Sequence, residues 1–182
     1  MKFTEPKQLA DGRFFVKVSQ DDDRNVTLQL NKVTLMSNFA ESEDSVTVGV
    51  QNKDSVLKME QDILRAAKEN STSWFGREVQ QKTLDAAFTR SLSDEGAMNL
   101  NKSKRGKIGY FNSDKQESQT PLNSLEVDAV VDMLVELTGI WFLKKSFGLH
   151  WRIIQVRDSP KPKKQLYLFE NQDSDESSDD DY

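Results

Sequence analysis

The sequence contains no cysteine and only one histidine, His150, among its 182 residues. Disulfides, thiolate zinc sites and cysteine nucleophiles are therefore excluded, and so is a metal centre built from several histidines. A Ser-His-Asp arrangement would depend on that one ring, and no glycine-rich nucleotide fingerprint occurs. We therefore expect neither an enzyme nor a bound metal or cofactor.

Long apolar runs are missing as well. No segment approaches the ~18 apolar residues that a membrane-spanning helix needs. The first residues include Lys2, Glu5 and Lys7 and lack the apolar core of a secretory signal. Together with the absence of cysteine, these features predict an intracellular protein with no membrane partner.

The net charge of −5 is unevenly distributed along the chain. The last ten residues hold six of the 30 acidic groups and no cation, so the other 172 residues carry 25 basic and 24 acidic groups. A tethered polyanion can compete for a cationic groove on its own domain. The acidic composition therefore does not exclude binding to nucleic acid.

Alternating apolar residues predict early strands over residues 13–18, Val26–Leu35 and 46–50, with a register slip in the second strand near Asn31. Helical periodicity over residues 55–70, and again from Val79 to Phe88, predicts two helices inserted between strands. We expect Trp74 and Phe75 to anchor a helix against the sheet. The predicted fold class is α+β, mainly β, with a small antiparallel barrel and two inserted helices.

The segment Leu125–Leu137 fits two periods. Its alternation leaves one wholly apolar face, as in a strand, but several valines and leucines also fall at helical spacing, with Ser124 as an N-cap. We favour a strand because β-branched residues fit a sheet better than a helix. Thr138 and Gly139 then mark a bend in a long strand that turns back at Lys144 and Lys145.

Composition divides the chain into four parts. Residues 1–12 form a polar arm, and residues 13–157 form the folded domain. Residues 158–170 form a basic linker with a short apolar peptide, and residues 171–182 form a disordered acidic tail.

Rings, cations and glycines are interleaved between Gly139 and Arg152, which is the mixture that a surface for unpaired bases requires. We expect at least one of Trp141, Phe147 and Trp151 to be an exposed stacking ring. Phe147 is the first choice, because it lies in the turn between Lys145 and Gly148. A second mixture of cations and rings runs from Lys102 to Phe111. The candidate DNA-binding residues are Lys102, Lys104, Arg105, Lys107, Tyr110, Lys144, Lys145, Phe147, Trp151 and Arg152.

The run from Glu136 to Gln155 resembles the closing strands of phage-type single-stranded DNA-binding proteins found in large nucleocytoplasmic DNA viruses. The tail is similar to the tails of that group, since it closes on an aromatic residue after a run of acids, and Trp74-Phe75-Gly76 before a helix is a weaker third point. The residues of the tail that carry the resemblance are Asp179, Asp180, Asp181 and Tyr182.

The resemblance implies an OB-fold that coats single-stranded DNA during replication, recombination or repair. It also implies a tail that occupies the groove without DNA and otherwise contacts a DNA polymerase or helicase-primase. A viral protein of this kind would work at replication sites in the host cytoplasm or nucleus. A homodimer is left open, as are two other functions: an acidic histone chaperone or DNA mimic, and a structural virion protein.

Overall fold

The computed structural model describes residues 1–102 and 106–159, which form an α+β fold made mainly of strands. The strands are β1 (Lys2–Phe3), β2 (Lys7–Gln8), β3 (Phe14–Ser19), β4 (Val26–Leu35), β5 (Ser45–Gly49), β6 (Phe88–Thr89), β7 (Ala97–Asn101), β8 (Gly109–Phe111), β9 (Val130–Phe142) and β10 (Phe147–Asp158). The helices are α1 (Asp54–Glu69), α2 (Ser71–Phe75), α3 (Gln81–Ala87) and a 3-10 turn at Leu122–Ser124.

The predicted slip in the second strand is confirmed. The pairing of β4 with β9 shifts register between Leu30 and Val33, and Lys32 has a positive φ of 51°. The Lys32 N–H is not left unpaired, because it donates to Asp132 Oδ1 at 2.9 Å. A bulge of this kind bends the strand, as closure of a small sheet requires.

The choice of strand over helix for the segment before the hairpin is also confirmed, with a later start. Every second side chain of this strand points into the core, where each is at most 1% exposed: Val131, Met133, Val135 and Leu137. The strand begins at Val130 instead of Leu125, because the chain first makes the 3-10 turn and then a left-handed residue at Asp128, whose φ is 69°.

The sequence predicted two inserted helices, and the described residues contain three α-helices. The additional one is the short α2, which ends at Gly76 with a φ of 70°. Trp74 and Phe75 lie on α2 and contact the ring of Phe142 at centroid distances of 5.8 and 5.5 Å. Their predicted role as anchors of a helix against the sheet is confirmed.

Five strands pair in a closed circuit. β4 pairs with β5, β5 with β7, β7 with β10, β10 with β9, and β9 with β4. The predicted small antiparallel barrel is antiparallel only in part, since β6, β7 and β8 all pair with β10 in parallel. Parallel neighbours arise because the helices and loops between β5 and β10 carry the chain back before each strand.

Residues 1–12 are not a separate arm in the structure. β1 and β2 both pair with β3, and β3 extends the sheet along the second half of β9. The N-terminal residues therefore cover the edge of β3 that would otherwise present unpaired backbone groups.

Candidate nucleic-acid interface

The β9–β10 hairpin presents two different faces, because successive side chains along a strand point to opposite sides. Phe142, Phe147 and Trp151 point to the inner face, towards α2 and the core. Trp141 and His150 point to the outer face. The register joins them across the sheet, with Gly148 opposite Trp141 and Gly139 opposite His150.

The inner face holds a tight ring cluster. Phe147 stacks on Phe142 at a centroid distance of 5.8 Å and meets Phe75 and Phe88 edge-on at 5.5 and 5.3 Å. Phe147 is 1% exposed and Trp151 is 2% exposed, with the Trp151 indole N–H donating to Ser91 Oγ at 3.0 Å. The prediction that Phe147 is an exposed ring is therefore wrong. Its position beside the turn does not expose it, since the strand's alternation directs it inward.

The outer face holds three half-buried rings, which we call the outer strip: Phe15 on β3, Trp141 on β9 and His150 on β10. Of the three residues expected to include an exposed stacking ring, Trp141 is half-buried whereas Phe147 and Trp151 are buried. That a base stacks on Trp141 stays a prediction. Phe15 was missed, although the order Arg13-Phe14-Phe15-Val16-Lys17 alternates and places Arg13, Phe15 and Lys17 on one face.

Two rings of the outer strip, Trp141 and Phe15, pack against glycines of the neighbouring strand. A Cβ at Gly148 would lie 2.6 Å from Trp141 Cζ2, and a Cβ at Gly139 would collide with the ring of Phe15 and the Val16 carbonyl. The rings of Trp141 and Phe15 therefore lie close to the backbone of the neighbouring strand, where any side chain larger than hydrogen would collide with them. Both residues remain half-buried, so part of each is open to solvent.

Hydrogen bonds fix the rings in place. The Trp141 indole N–H donates to the Leu149 carbonyl at 3.3 Å, and the Thr138 hydroxyl donates to the His150 carbonyl at 3.1 Å while lying 2.7 Å from His150 Nδ1. Phe15 meets His150 edge-on at 6.0 Å. Pre-set rings lose little conformational entropy on binding a ligand.

Cations surround the outer strip. Lys17 is exposed on β3, and Arg152 on β10 forms an ion pair with Glu136 at 2.6 Å. Burial lowers the pKa of His150 first, and the nearby charges of Arg13 and Arg152 lower it further. The imidazole is therefore neutral at pH 7, and the positive charge on this face comes from lysine and arginine.

Lys144 and Lys145 lie in the turn between β9 and β10, on the edge of a cleft of about 840 Å³ that Arg77 also borders. These three cations have no hydrogen bond or ion pair with any residue in 1–102 or 106–159. No described residue therefore neutralises their charge, and phosphate binding by the two lysines stays a prediction.

The other predicted residues are divided between structural roles and positions outside the described chain. Lys102 donates to the carbonyls of Phe39 and Ser42, which holds the loop after β4. Lys107 pairs with Glu117 at 3.5 Å. Tyr110 is buried, and burial followed by its hydrogen bond to Asp158 raises its pKa to about 12. The predicted features that lie outside the described residues are Lys104, Arg105, the linker after Ser159, and the tail residues Asp179, Asp180, Asp181 and Tyr182.

The described part of the chain lacks a metal-binding cluster and a membrane-spanning helix. No group of three or more acidic or histidine side chains is placed there to hold a metal ion. In the same residues, every helix is too short or too polar to cross a bilayer.

A model of a family of unknown function (DUF5871) matches residues 16–171. The chain belongs to this family. Its matched region includes the outer strip residues Trp141 and His150 and the whole hairpin, whereas Phe15 lies one residue before it. No curated protein matches the sequence.

Three similar solved structures come from bacteriophage Enc34. Its single-stranded DNA-binding protein is 11% identical, covers 95% of this chain and 98% of its own, and has a TM-score of 0.49. The same protein in complex with ssDNA gives 11% identity, 87% and 96% coverage and a TM-score of 0.49. Its C-terminal truncation is 10% identical, covers 90% of this chain and 98% of its own, and has a TM-score of 0.48.

Proposed function

We propose that this protein binds single-stranded DNA on the outer face of the β9–β10 hairpin, without sequence preference. The observation that carries the proposal is the outer strip itself: half-buried rings on one face of the sheet, two of them packed against strand glycines, beside cations. Rings of this kind stack on any base, since every base has a π-face, and each is worth ~1–3 kcal/mol.

Phosphates are the second half of the proposed contact. Lys17 and Arg152 lie on the same face as the rings, and Lys144 and Lys145 lie at the turn. Neutralising phosphates releases counterions, so binding should weaken steeply with salt. Phe147, Trp151 and Tyr110 are removed from the proposed contact set, because a buried ring has no face for a base.

The strand circuit supports the OB-fold interpretation. The strands are neighbours in the order β9, β4, β5, β7. Numbered by their sequence in the chain, this order is four-one-two-three, which is a Greek key, and β10 closes a five-stranded ring. OB-folds commonly bind oligonucleotides on the face of strands two and three. Here that face, on β5 and β7, presents Ser45, Thr47 and Asn99 instead of rings. We therefore place the DNA on the hairpin face.

The proposed role is to coat unpaired DNA during replication, recombination and repair, as a binding protein and not as an enzyme. The acidic tail would compete with DNA for the cations and recruit a DNA polymerase or helicase-primase. An acidic chaperone would instead hold basic proteins, and a virion protein would assemble without DNA.

A binding titration separates these functions. Fluorescence anisotropy of a labelled oligonucleotide would be measured against the full chain and a variant lacking residues 171–182, with duplex DNA and histone as competitors. We expect binding to single strands that falls with salt, weak competition by duplex, and tighter binding by the truncated variant. Failure of both forms to bind at low salt would reject the proposal.

A further inference from the structure

A second cavity lies on the same face as the outer strip, near the other end of the hairpin. It has a volume of about 290 Å³ and opens between β4, β8, β9 and β10. Its lining includes one ring, two amides, two cations and one carboxylate, the last paired with Arg157: Phe111, Gln29, Gln155, Lys115, Arg157 and Asp132.

Phe111 is seated in the same way as the rings of the outer strip. A Cβ at Gly109 would lie 2.9 Å from Phe111 Cε2 and 3.4 Å from Gln155 Cγ. The half-buried ring therefore lies against the bare backbone of its own strand, beside β10, where Gly109 pairs with Gln155 and Phe111 with Arg157. This is a third case of a ring placed on a strand glycine on one continuous face.

Polar groups around Phe111 suit the edge of a nucleobase. Gln155 is exposed and its side chain makes no hydrogen bond to a described residue, whereas the Gln29 side-chain amide donates to Asn31 Oδ1 at 2.6 Å. Arg157 donates through Nη2 to Asp132 at 2.5 Å, and its Nε has no acceptor among the described residues. Nε is covered, so a ligand would reach it only if the guanidinium turned.

Lys115 supplies a charge for a phosphate at this end. It is exposed in the loop after β8, has a positive φ of 67°, and forms no ion pair within the described residues. The Asn112 side chain accepts from the Asp114 and Gln116 N–H groups, both at 3.0 Å, which holds the loop that carries the lysine.

The two ring sites lie along one strand. Gly148, opposite Trp141, and Arg157, opposite Phe111 on β8, are separated by nine positions of β10, or roughly 30 Å at ~3.3 Å per residue. Arg152 and Glu136 lie between the two sites on the same face. A stacked strand advances ~3.4 Å per nucleotide, so about nine nucleotides would span both sites.

We propose that the cavity at Phe111 is a second subsite, which takes one unpaired base of the same DNA strand, with Lys115 on its phosphate. This inference rests on the proposed function and deepens it, because it gives the binding face a length and two ends. Gln155 and Gln29 would contact the base edge, and Phe111 its face.

The test is a length series on the full chain, with unlabelled thymidine oligonucleotides of 4, 8, 12 and 16 nucleotides, lengths within the range known for OB-folds. We expect affinity to rise sharply between 8 and 12 nucleotides. Phe111→Leu should lower affinity for the 12-mer and 16-mer about 5- to 150-fold, the equivalent of one stacked base. Affinity for the 4-mer should not change.

Two further variants make the result decisive. Phe14→Leu changes a ring on the inner face of β3 and should alter affinity for neither the short nor the long oligonucleotides. Gln155→Glu is a surface change that adds a negative charge at the subsite, so it should weaken the binding of the 12-mer and 16-mer. Thermal melting shows whether Phe111→Leu is folded. If it is not, Gln155→Glu still tests the subsite.

The outcomes separate this inference from the function beneath it. If the 4-mer binds but Phe111→Leu and Gln155→Glu leave the 12-mer unaffected, the second subsite is wrong and DNA binding stands. An equal loss at all lengths would also reject a separate subsite. If no oligonucleotide binds the wild-type chain, the proposed function itself has failed.

Discussion

The inner ring cluster and the outer strip come from alternate residues of the same two strands, yet they do different work. Inside, Phe147 touches three other rings and is 1% exposed. Outside, Trp141 is half-buried and lies against Gly148. Ring content alone therefore does not locate a binding surface. What distinguishes Trp141 and Phe15 is the strand glycine that each of them contacts.

The largest expected effect tests the inner half of this comparison. Phe147→Ala should destabilise the fold by about 3–5 kcal/mol, because it removes a buried ring and leaves a cavity among Phe142, Phe75 and Phe88. Chemical denaturation followed by circular dichroism measures it. The matched change outside, Trp141→Ala, should cost much less stability; a similar cost would mean that both clusters are core.

The next effect tests the outer half. Trp141→Ala should weaken oligonucleotide binding by about 1–3 kcal/mol, because it removes one stacked base. Isothermal titration calorimetry at fixed salt measures the change. Unaltered affinity in a folded variant would show that bases do not stack on this strip.

The glycine seat gives a more selective test. Gly148→Ala places a methyl group 2.6 Å from Trp141 Cζ2, so the indole must move away from the sheet. We expect weaker binding, with a loss smaller than that of Trp141→Ala. Gly12→Ala is the control for stability, since nothing lies within 4 Å of a Cβ there, although its φ of 84° adds strain. Stronger binding by Gly148→Ala would argue against a role for the contact between Gly148 and Trp141 in binding.

The turn lysines should contribute through charge alone. Replacing Lys144 and Lys145 by glutamine should lower the slope of log affinity against log salt by about 0.7 for each phosphate that is no longer neutralised. Binding measured from low to moderate salt gives the slope. Lys102→Gln is the comparison, because Lys102 already bonds two carbonyls; it should affect stability and leave the slope unchanged.

The smallest effect concerns pH. The pKa of His150 is lowered in the fold, so between that value and the ordinary 6.5 the unfolded chain binds more protons. His150 therefore makes stability fall as pH decreases below about 6.5. DNA phosphates favour the imidazolium, so affinity should rise over the same range. His150→Gln should flatten both profiles, and persistence of both slopes would assign them to another group.

The strands and the hairpin could be predicted because apolar alternation at β3, β4, β5 and β9 is strong and local. The short helix α2 was missed because its end depends on Gly76 adopting a left-handed conformation. Phe147 was predicted to be exposed because it lies beside the turn, whereas the alternation of side chains along β10 directs it into the core. The alternation in β3 was a local signal that Phe15 shares a face with Arg13 and Lys17, whereas its contact with Gly139, more than a hundred residues away in sequence, could not be predicted. Contacts made only through strand pairing leave no local signal.

Trp141 is the tryptophan that we expect to meet DNA, while Trp74 and Trp151 stay in the core. Intrinsic tryptophan fluorescence tests this most directly, with an unlabelled oligonucleotide titrated into the wild-type chain and into Trp141→Phe. We predict salt-sensitive quenching in the wild type and almost none in Trp141→Phe, although anisotropy still reports binding by that variant. Equal quenching in both would contradict the account.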